Sequence, residues 1–466
     1  MKMKNILPLK KVHFIGIGGI GMSAIAEMLD ELGIAVQGSD AVQSANTDRL
    51  KRGGIQVFIG HDKNNLDGVD SVVVSTATPE NNVELLEAKR RGIPVGHRSE
   101  MLAEILRFKQ SICVSGTHGK TTTSSLIASI LMQARLRPSF VIGGILNSER
   151  SNARLGRGRW VVAEADESDG SFLKLPTTIS VVTNIDAEHM NFYKTYDNMK
   201  NAYRVFMNNT SFYGACVACI DHPAVAELAA QIAGRKIITY GLNKMADVHA
   251  DHIRTQKGRL IFDVFVRTGA KFKKMKDVEL KMFGKHNVQN ALAAIAAALQ
   301  AGVHEDAIKK ALKNFEGIGR RLTKRGTVGG IDFYDDYAHH PVEIAATLSA
   351  VKESMLADEK VIAIFQPHRY SRFQDLWRDF LGAFNDADAV IVTDVYAGGE
   401  KPVPDVNKEA FVQELGAVRP HVFAINDFNE LEGLLKRLAK AGDSVVALGA
   451  GDISKKITQF VKGRVG

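Results

Sequence analysis

The sequence predicts an α/β protein of three domains, 466 residues long. Three times along the chain, short apolar strands begin to alternate with segments whose apolar residues recur every three or four positions. That alternation is typical of a parallel sheet covered by helices. Glycine clusters follow several of the strands, where a backbone turns sharply or approaches a ligand. A chain of this length is also too long for one core, and about three domains are the usual outcome.

The first series of strands is KVHFIGIGG, IAVQGSD, SVVVSTAT and IPVGH, and the third begins near GIDFYDDYA and includes VIAIFQPH, AVIVTDVY and SVVALGAGD. The strands within the first series are four to six residues long and are separated by helical patterns such as AIAEMLDEL. We place the domain boundaries near residues 107 and 321. The predicted domains are therefore 1–107, 108–321 and 322–466.

The second series opens at SICVSG, continues with WVVAEAD, ISVVTNID and ACVACID, and ends in the alanine-rich helix NVQNALAAIAAALQAG. Before that helix, VHADHIRTQKGRLIFDVFVR and DVELKMFG predict an antiparallel meander that turns at Lys257 and Gly258. The central domain should therefore contain a mixed sheet.

Composition and charge exclude several classes of protein. No apolar run approaches the roughly 18 residues that cross a bilayer, so we expect a cytoplasmic protein without membrane insertion. Three cysteines cannot form a disulfide framework. The net charge of +8 suits an anionic partner. However, the one dense basic run, KFKKMK, matches no nucleic-acid motif, and we expect it to be a solvated face and the protein to bind no nucleic acid.

A glycine-rich loop follows the first predicted strand. Gly16, Gly18, Gly19 and Gly21 belong to the stretch GIGGIG, which matches G-x-G-x-x-G directly before a helix. Such a loop lets the backbone approach a diphosphate, which the helix N-terminus attracts. Asp40 follows the second strand, where an acidic residue would meet a ribose hydroxyl. The pattern favours a nucleotide-type ligand, with NAD as the obvious candidate and a plain tight turn as the alternative.

A second loop, GTHGKTT, follows the first strand of the central domain and departs from the G-x-x-x-x-G-K-[ST] spacing because Val114 replaces a glycine. The groups with chemical roles are present. Backbone amides around the loop can cradle phosphates, Lys120 can neutralise the β- and γ-phosphates, and the Thr121 hydroxyl can hold Mg²⁺. The residues that we predict to bind ATP here are Gly116, Thr117, His118, Gly119, Lys120, Thr121 and Thr122.

Acidic residues follow the next two strands. The segment AEADESD supplies Glu164, Asp166, Glu167 and Asp169, and TNIDAEH supplies Asn184, Asp186, Glu188 and His189. Carboxylates at strand ends are where an ATP–Mg²⁺ site needs them. We therefore expect a metal-binding cluster beside the second loop.

The last third of the chain carries two more polar clusters at strand ends. DDYAHHP contains Asp335, Asp336, Tyr337, His339 and His340, and FQPHRYSR contains His368, Arg369 and Arg372. Arginines suit a carboxylate or phosphate through bidentate pairing better than they suit a metal cluster. Upstream, GIGRRL places Arg320 and Arg321 near the second boundary, and HNVQN offers amides that can recognise a base edge.

Taken in order, these motifs closely resemble the Mur ligase family over essentially the whole chain. The resemblance implies a Rossmann-like N-terminal domain for a UDP-sugar, a central P-loop ATPase domain and a C-terminal Rossmann-like domain for an amino acid. It implies an enzyme that uses ATP with Mg²⁺ or Mn²⁺ to join L-alanine to UDP-N-acetylmuramate during peptidoglycan synthesis. The expected assembly is a monomer or a homodimer.

The resemblance also implies roles for residues of this chain. For the UDP-sugar they are Gly16, Gly18, Gly19, Gly21, Asp40, His61 and His97. The implied metal ligands are Thr121, Glu164 and His189. Asn287, Asn290, Arg321 and Asp336 would join the loop at ATP. The amino-acid site would use Tyr337, His339, His368, Arg369 and Arg372. The residues implied in catalysis are Lys120, Glu164, His189, His339, Arg369 and Arg372.

Three alternatives stand beside this hypothesis. A ligase of the same family that attaches a whole tripeptide to UDP-N-acetylmuramate shares both early loops, although ESDGSF and FQPHRYSR favour alanine addition. An NAD-dependent oxidoreductase would explain the first loop and Asp40 but not the second loop or AEADESD. A non-enzymatic, nucleotide-gated binding protein would leave the polar clusters of the last third unexplained.

Overall fold

A computed structural model describes residues 8–149, 151–256 and 259–464. The chain forms two compact units, of which the first extends to Glu316 and the second consists mainly of the chain from Gly317 onward. No helix in these described ranges is both long enough and apolar enough to span a membrane. The strands form three separate sheets.

The first sheet is parallel and has the strand order β3-β2-β1-β4-β5. The order reverses between β1 and β4, and ligands of open α/β sheets bind at the carboxyl ends of the strands beside such a reversal. Its strands are β1 (Lys11–Ile15), β2 (Ala35–Asp40), β3 (Gln56–Ile59), β4 (Ser71–Val74) and β5 (Val95–His97). Its helices are α1 (Ile20–Glu31), α2 (Ala45–Arg52), α3 (Val83–Arg91) and α4 (Arg98–Leu106), with a 3-10 turn at Lys63–Leu66.

The second sheet has ten strands in the order β15-β14-β13-β12-β11-β10-β6-β9-β7-β8. It is mixed, as predicted, because β7 pairs with β9 in parallel and with β8 in antiparallel fashion. The strands are β6 (Gln110–Ser115), β7 (Ser139–Leu146), β8 (Ser151–Arg154), β9 (Trp160–Glu164), β10 (Thr177–Val182), β11 (Thr210–Cys219), β12 (Ile237–Gly241), β13 (Val248–Gln256), β14 (Arg259–Thr268) and β15 (Lys271–Leu280). The predicted turn at Lys257 and Gly258 lies outside the described residues. The basic run KFKKMK begins β15 and is mostly exposed.

Helices cover this second sheet. They are α5 (Lys120–Gln133), α6 (Met190–Tyr193), α7 (Tyr196–Asn208), α8 (Pro223–Gln231), α9 (Lys285–Gln300) and α10 (Glu305–Lys313), with a 3-10 turn at Ser171–Lys174. The alanine-rich α9 is buried along most of its length. Asn290, in the N-terminal half of this helix, lies against Gly119 of the second glycine loop.

The third sheet has the order β16-β17-β21-β18-β19-β20 and is parallel except for the β16–β17 pair. Its strands are β16 (Thr323–Val328), β17 (Ile331–Asp336), β18 (Val361–Phe365), β19 (Ala389–Val392), β20 (Val422–Ala424) and β21 (Ser444–Leu448). Its helices are α11 (Pro341–Lys352), α12 (Tyr370–Asp375), α13 (Trp377–Gly382), α14 (Lys408–Val418), α15 (Glu430–Leu438) and α16 (Ile453–Lys462). The predicted α/β class is confirmed. The boundaries at 107 and 321 fall between sheets and stay predictions.

Candidate active site

The second glycine loop connects β6 to α5, and two of its glycines have backbone conformations that disfavour other residues. Gly116 has φ +136° and Gly119 has φ +81°. A Cβ on Gly116 would lie 2.0 Å from Thr183 Oγ1, and one on Gly119 would lie 2.5 Å from Asn290 Oδ1. The turn therefore depends on glycine at both positions.

Asn184, two residues after the end of β10, holds the loop through several hydrogen bonds. The backbone N–H of His118 donates to Asn184 Oδ1 (2.7 Å), and that of Thr117 donates to the Asn184 carbonyl (3.1 Å). The Asn184 amide in turn donates to the His118 carbonyl (3.1 Å). Two amides of the expected phosphate cradle are thus engaged within the protein. The clamp gives the loop a defined shape before any phosphate arrives.

Lys120 opens α5 and lies in a buried, acidic pocket. Its Nζ is 2.8 Å from Glu167 Oε1 and also donates to the carbonyls of Gly116 (2.5 Å) and Thr117 (3.1 Å). Burial would lower the pKa of this ammonium, but the carboxylates of Glu167, Glu164 and Asp166 hold it above its usual range. Burial raises the pKa of Glu167 to about 7, although Lys120 opposes the shift. The pocket therefore keeps the Lys120 side chain protonated at neutral pH.

Oxygen donors beside Lys120 suit a magnesium ion. The Thr121 hydroxyl lies 2.9 Å and 3.2 Å from the two carboxylate oxygens of Glu164, one of which accepts from the Gly143 N–H (2.7 Å). Oε2 of Glu167 is buried and accepts no hydrogen bond from the described residues. A hydroxyl and carboxylate oxygens are the ligands that Mg²⁺ prefers. The donor set therefore fits this ion.

His189, the third predicted metal ligand, follows β10 and has φ +58°. Its Nε2 is 3.8 Å from Glu167 Oε1 and 3.9 Å from Glu188 Oε1. In the described ranges, no three His, Cys, Asp or Glu side chains form a ready ligand cluster. His189 therefore lies beside Glu167 at the edge of the acidic pocket. Its role as a metal ligand stays a prediction.

The two predicted adenine-contacting amides lie at the start of α9 against the loop. Asn290 Oδ1 accepts from the Thr123 hydroxyl (3.2 Å), and its Nδ2 donates to Asn287 Oδ1 (3.0 Å). Both asparagines are almost fully buried. Their described contacts hold α9 against α5, beside Gly119.

The first glycine loop connects β1 to α1. The Gly16 N–H donates to the Ser39 carbonyl (2.8 Å), and the Gly18 N–H donates to Asp40 Oδ2 (2.8 Å). A Cβ on Gly18 would lie 2.8 Å from the same Asp40 oxygen. Asp40 therefore supports the loop directly, in addition to standing at the end of β2 as predicted.

Two predicted histidines lie at the same edge of the first sheet. His61 follows β3, and its Nδ1 is 3.0 Å from Glu84 Oε2. His97 ends β5 and caps α4 by accepting from the Ser99 N–H (3.4 Å). Its Nε2 is 3.7 Å from Asp169 Oδ2, which belongs to the acidic segment after β9. His97 thus connects the first sheet to the second.

Arg98 makes a second connection between the two sheets. Its Nη2 is 2.8 Å from Asp166 Oδ2. Burial would raise the pKa of Asp166, but Arg98 and Lys120 lower it to about 2. A Cβ on Gly21 would lie 3.0 Å from the Arg98 guanidinium. The arginine therefore lies between the first glycine loop and the acidic segment beside the second.

In the second unit, Asp336 ends β17 of the third sheet and Tyr337 follows it. Asp336 is buried and accepts from the N–H groups of Leu322 (2.6 Å) and Ala338 (2.7 Å). Burial raises its pKa to about 6, opposed by Arg321. The guanidinium carbons of Arg320 and Arg321 lie 4.8 Å and 5.5 Å from the Tyr337 ring centre. The two arginines predicted near the second boundary thus lie beside the residues of this strand end.

The predicted histidines and arginines of the second unit also meet. The His339 and His368 rings are 5.9 Å apart, and Arg372 Nη1 is 3.3 Å from His368 Nδ1. Burial, together with His339, Arg372 and Arg369, lowers the pKa of His368 to about 4, so this ring is neutral at pH 7. Arg369, the N-cap residue of α12, has φ +67° and donates its N–H to the Tyr396 carbonyl (2.8 Å). This cluster can attract a carboxylate or phosphate.

Sequence reasoning did not single out Glu167, Asn184 and Arg98. Glu167 was one of four carboxylates in AEADESD, and the sequence alone does not show which of them turns inward to Lys120. The clamp at Asn184 and the link through Arg98 join residues 66 and 68 positions apart. No local pattern marks such contacts.

Comparisons with known proteins cover nearly the whole chain. Three family models match it: the Mur ligase family catalytic domain over residues 11–110, the Mur ligase middle domain over 114–298, and the Mur ligase glutamate ligase domain over 320–451. The chain is 50% identical to a UDP-N-acetylmuramate–L-alanine ligase of Bradyrhizobium diazoefficiens, over 95% of each protein.

Solved structures agree with these matches. A UDP-N-acetylmuramate–alanine ligase of Thermotoga maritima superposes with a TM-score of 0.82 at 29% identity, over 97% of this chain and 98% of that one. A murein peptide ligase of Psychrobacter arcticus reaches a TM-score of 0.70 at 24% identity, with the same coverage. At this identity, the similarity to the murein peptide ligase supports only a shared fold.

Proposed function

The chain belongs to the Mur ligase family, and we propose that it joins L-alanine to the lactyl carboxylate of UDP-N-acetylmuramate at the expense of ATP. The observation that carries the proposal is the buried Lys120–Thr121 pair among the carboxylates Glu164 and Glu167, in a chain half identical to a ligase of that name. The products are ADP, phosphate and the amide, within peptidoglycan precursor synthesis.

The reaction needs activation because a carboxylate in water does not accept an amine. Transfer of the γ-phosphoryl group of ATP to the lactyl carboxylate gives an acyl phosphate, from which phosphate leaves readily. The alanine amine then attacks the acyl carbon, and a tetrahedral intermediate collapses to the amide. Both steps concentrate negative charge, so positioned cations matter more than a protein nucleophile.

Lys120 supplies one of those cations. Its ammonium is buried at the start of α5 and stays protonated among three carboxylates, so it can meet the β- and γ-phosphates without losing its charge. Thr121, Glu164 and His189 would hold Mg²⁺ or Mn²⁺, which would neutralise phosphate charge when bound. Before ATP binds, the contact with Glu167 keeps the Lys120 side chain oriented.

The UDP-sugar belongs at the edge of the first sheet. The loop Gly16–Gly21 offers its diphosphate a helix N-terminus, and Asp40, His61 and His97 lie at neighbouring strand ends. We assign Asn287, Asn290, Arg321 and Asp336 to ATP. The assignment for alanine and the reacting phosphate is Tyr337, His339, His368, Arg369 and Arg372. The protein acts in the cytoplasm as a monomer or homodimer.

The test is phosphate release from ATP in the presence of UDP-N-acetylmuramate, with L-alanine, glycine, L-serine and a cell-wall tripeptide compared as acceptors. We expect release that requires both the UDP-sugar and L-alanine. Release that ignores both would exclude the ligase. A preference for the tripeptide would identify the recycling ligase instead, and hydride transfer from NADH would indicate an oxidoreductase.

A further inference from the structure

A buried polar network lies beneath the carboxyl edge of the first sheet, and its centre is Glu84. This residue is in the first turn of α3 and is fully buried. The Asn82 side chain caps the helix by accepting from the N–H groups of Glu84 and Leu85. A carboxylate near a helix N-terminus is favoured by the helix dipole, but a fully buried one also needs direct partners.

Four side chains supply those partners. Oε2 of Glu84 accepts from the Ser39 hydroxyl (2.5 Å) and lies 3.0 Å from His61 Nδ1 and 3.5 Å from His13 Nε2. Oε1 accepts from the Asn65 amide (2.7 Å). Burial on its own would raise the pKa of Glu84, but the contacts with His13, Ser39 and Asn65 lower it to about 2. The carboxylate is therefore an anion throughout the physiological range.

The charge of Glu84 decides which nitrogen of His61 carries a proton. An ionised carboxylate only accepts hydrogen bonds, and the Ser39 hydroxyl, also 3.0 Å from Nδ1, already donates to Glu84. The Nδ1 that faces them must therefore be the protonated nitrogen. The ring is thereby held in one orientation, and its Nε2 points away from Glu84. Within the described part of the chain, Nε2 has no hydrogen-bond partner, and the His61 side chain is 25% exposed.

The exposed side of His61 lies at the predicted ligand edge. His61 follows β3, whose last residue, Ile59, pairs with Asp40 of β2. The Gly60 N–H donates to the Asp40 carbonyl (2.8 Å), and the Asp40 side chain supports Gly18 of the first loop. A histidine that is oriented from behind by a buried anion, with its other nitrogen open at this edge, is built to contact a ligand.

We propose that Glu84 is a positioning residue for UDP-N-acetylmuramate and acts through His61, by holding the imidazole so that Nε2 meets the UDP-sugar. The inference rests on the proposed function. Glu84 itself does not touch the substrate, because it is fully buried behind His61. The chemistry recognised is that of a polar group of the uridine diphosphate portion, which a fixed imidazole nitrogen can hydrogen-bond.

The test is steady-state kinetics of the Glu84→Gln variant in the full-length protein. The amide keeps the shape but replaces one acceptor oxygen by a donor, so it cannot accept from all of its present partners. We expect the KM for UDP-N-acetylmuramate to rise about tenfold, as follows from losing one well-placed hydrogen bond. The KM for ATP and kcat should stay within about twofold of the unaltered protein. An unchanged KM for the UDP-sugar would overturn the proposal.

A double variant distinguishes a role of Glu84 in positioning His61 from a role in stabilising the fold. If Glu84 acts through His61, then Glu84→Gln combined with His61→Ala should raise the KM no further than His61→Ala alone. Additive effects would mean that Glu84 only stabilises the domain, and would overturn the proposal. If Glu84→Gln does not fold, Glu84→Asp is used in both measurements. The shorter side chain keeps the negative charge but moves the carboxylate away from His61.

The matched control is Glu87→Gln on the same helix, where the carboxylate pairs with Arg90 and Arg91 and not with His61. It should leave every KM unchanged, and a shift as large as that of Glu84→Gln would overturn the proposal. The unaltered protein is assayed first. If it shows no release that depends on the UDP-sugar and alanine, the proposed function fails, whereas normal activity with an insensitive Glu84 variant refutes only the positioning role.

Discussion

The two glycine loops of the first unit share a backbone plan and differ in charge. Each follows the first strand of its sheet and leads directly into a helix, α1 or α5. The first turn of α1 has no charged residue, and the carboxylate nearest its loop, Asp40, supports Gly18. The second loop ends in Lys120, which Glu167 meets at 2.8 Å. The backbone plan alone suits binding of a diphosphate, and the added charges suit transfer of a phosphoryl group.

The sharpest way to test this contrast is Lys120→Ala. We expect kcat to fall about a thousandfold or more, because the cation that meets the transferred phosphate is removed. Binding of the UDP-sugar should stay within about twofold, since Lys120 belongs to the other loop. Phosphate release measures the first effect and titration calorimetry with UDP-N-acetylmuramate the second. Joint loss of both, in a variant shown to be folded by circular dichroism, would contradict the division of labour between the loops.

The same comparison shows what the sequence can predict. The α/β class and both loops follow from strand–helix alternation and glycine positions, which are local patterns. Six strands were not predicted. Four of them, β3, β8, β16 and β20, lie at sheet edges and have few buried residues, whereas β7 and β12 lie inside the ten-stranded sheet. An edge strand needs no continuous apolar run, so its sequence resembles a loop.

The residues of the candidate site likewise fall into those that the sequence predicts and those that only the fold reveals. Lys120 and Thr121 were predictable because their spacing from glycine is part of the motif. Glu167 as the partner of Lys120 was not, since the backbone after β9 decides which carboxylate turns inward. The contact between Ser39 and Glu84 joins residues 45 positions apart, and no periodic pattern reports it. Polar networks that assemble across strands become visible only in the fold.

A smaller effect is expected in the first loop from Gly18→Ala. The new methyl group would lie 2.8 Å from Asp40 Oδ2 and 2.9 Å from Thr47 Cγ2, so the Asp40 carboxylate must move. The KM for UDP-N-acetylmuramate should rise about tenfold, the size of a typical overpacking cost, with the KM for ATP unchanged. Gly433→Ala in α15 is the control, because a methyl group there meets nothing within 4 Å. A raised KM for ATP instead would contradict separate roles for the loops.

The smallest expected effect concerns the ion pair between Arg98 of α4 and Asp166 of the acidic segment, which lies between the two loops. Its side chains are 23% and 39% exposed, so solvent screening limits its contribution to stability to about 0.5 kcal/mol at pH 7. The folded pKa of Asp166 is about 2, below its ordinary 3.8, so this contribution is present above pH 3.8 and is lost as the pH falls through 2. Urea unfolding at pH 7, 5, 4 and 3 should therefore show a small deficit for Arg98→Gln that shrinks with acidity. Arg107→Gln, just after the end of the same helix, removes a surface pair with Glu104 for comparison. A deficit that grows as the pH falls would show that Arg98 stabilises the fold by some contact other than Asp166.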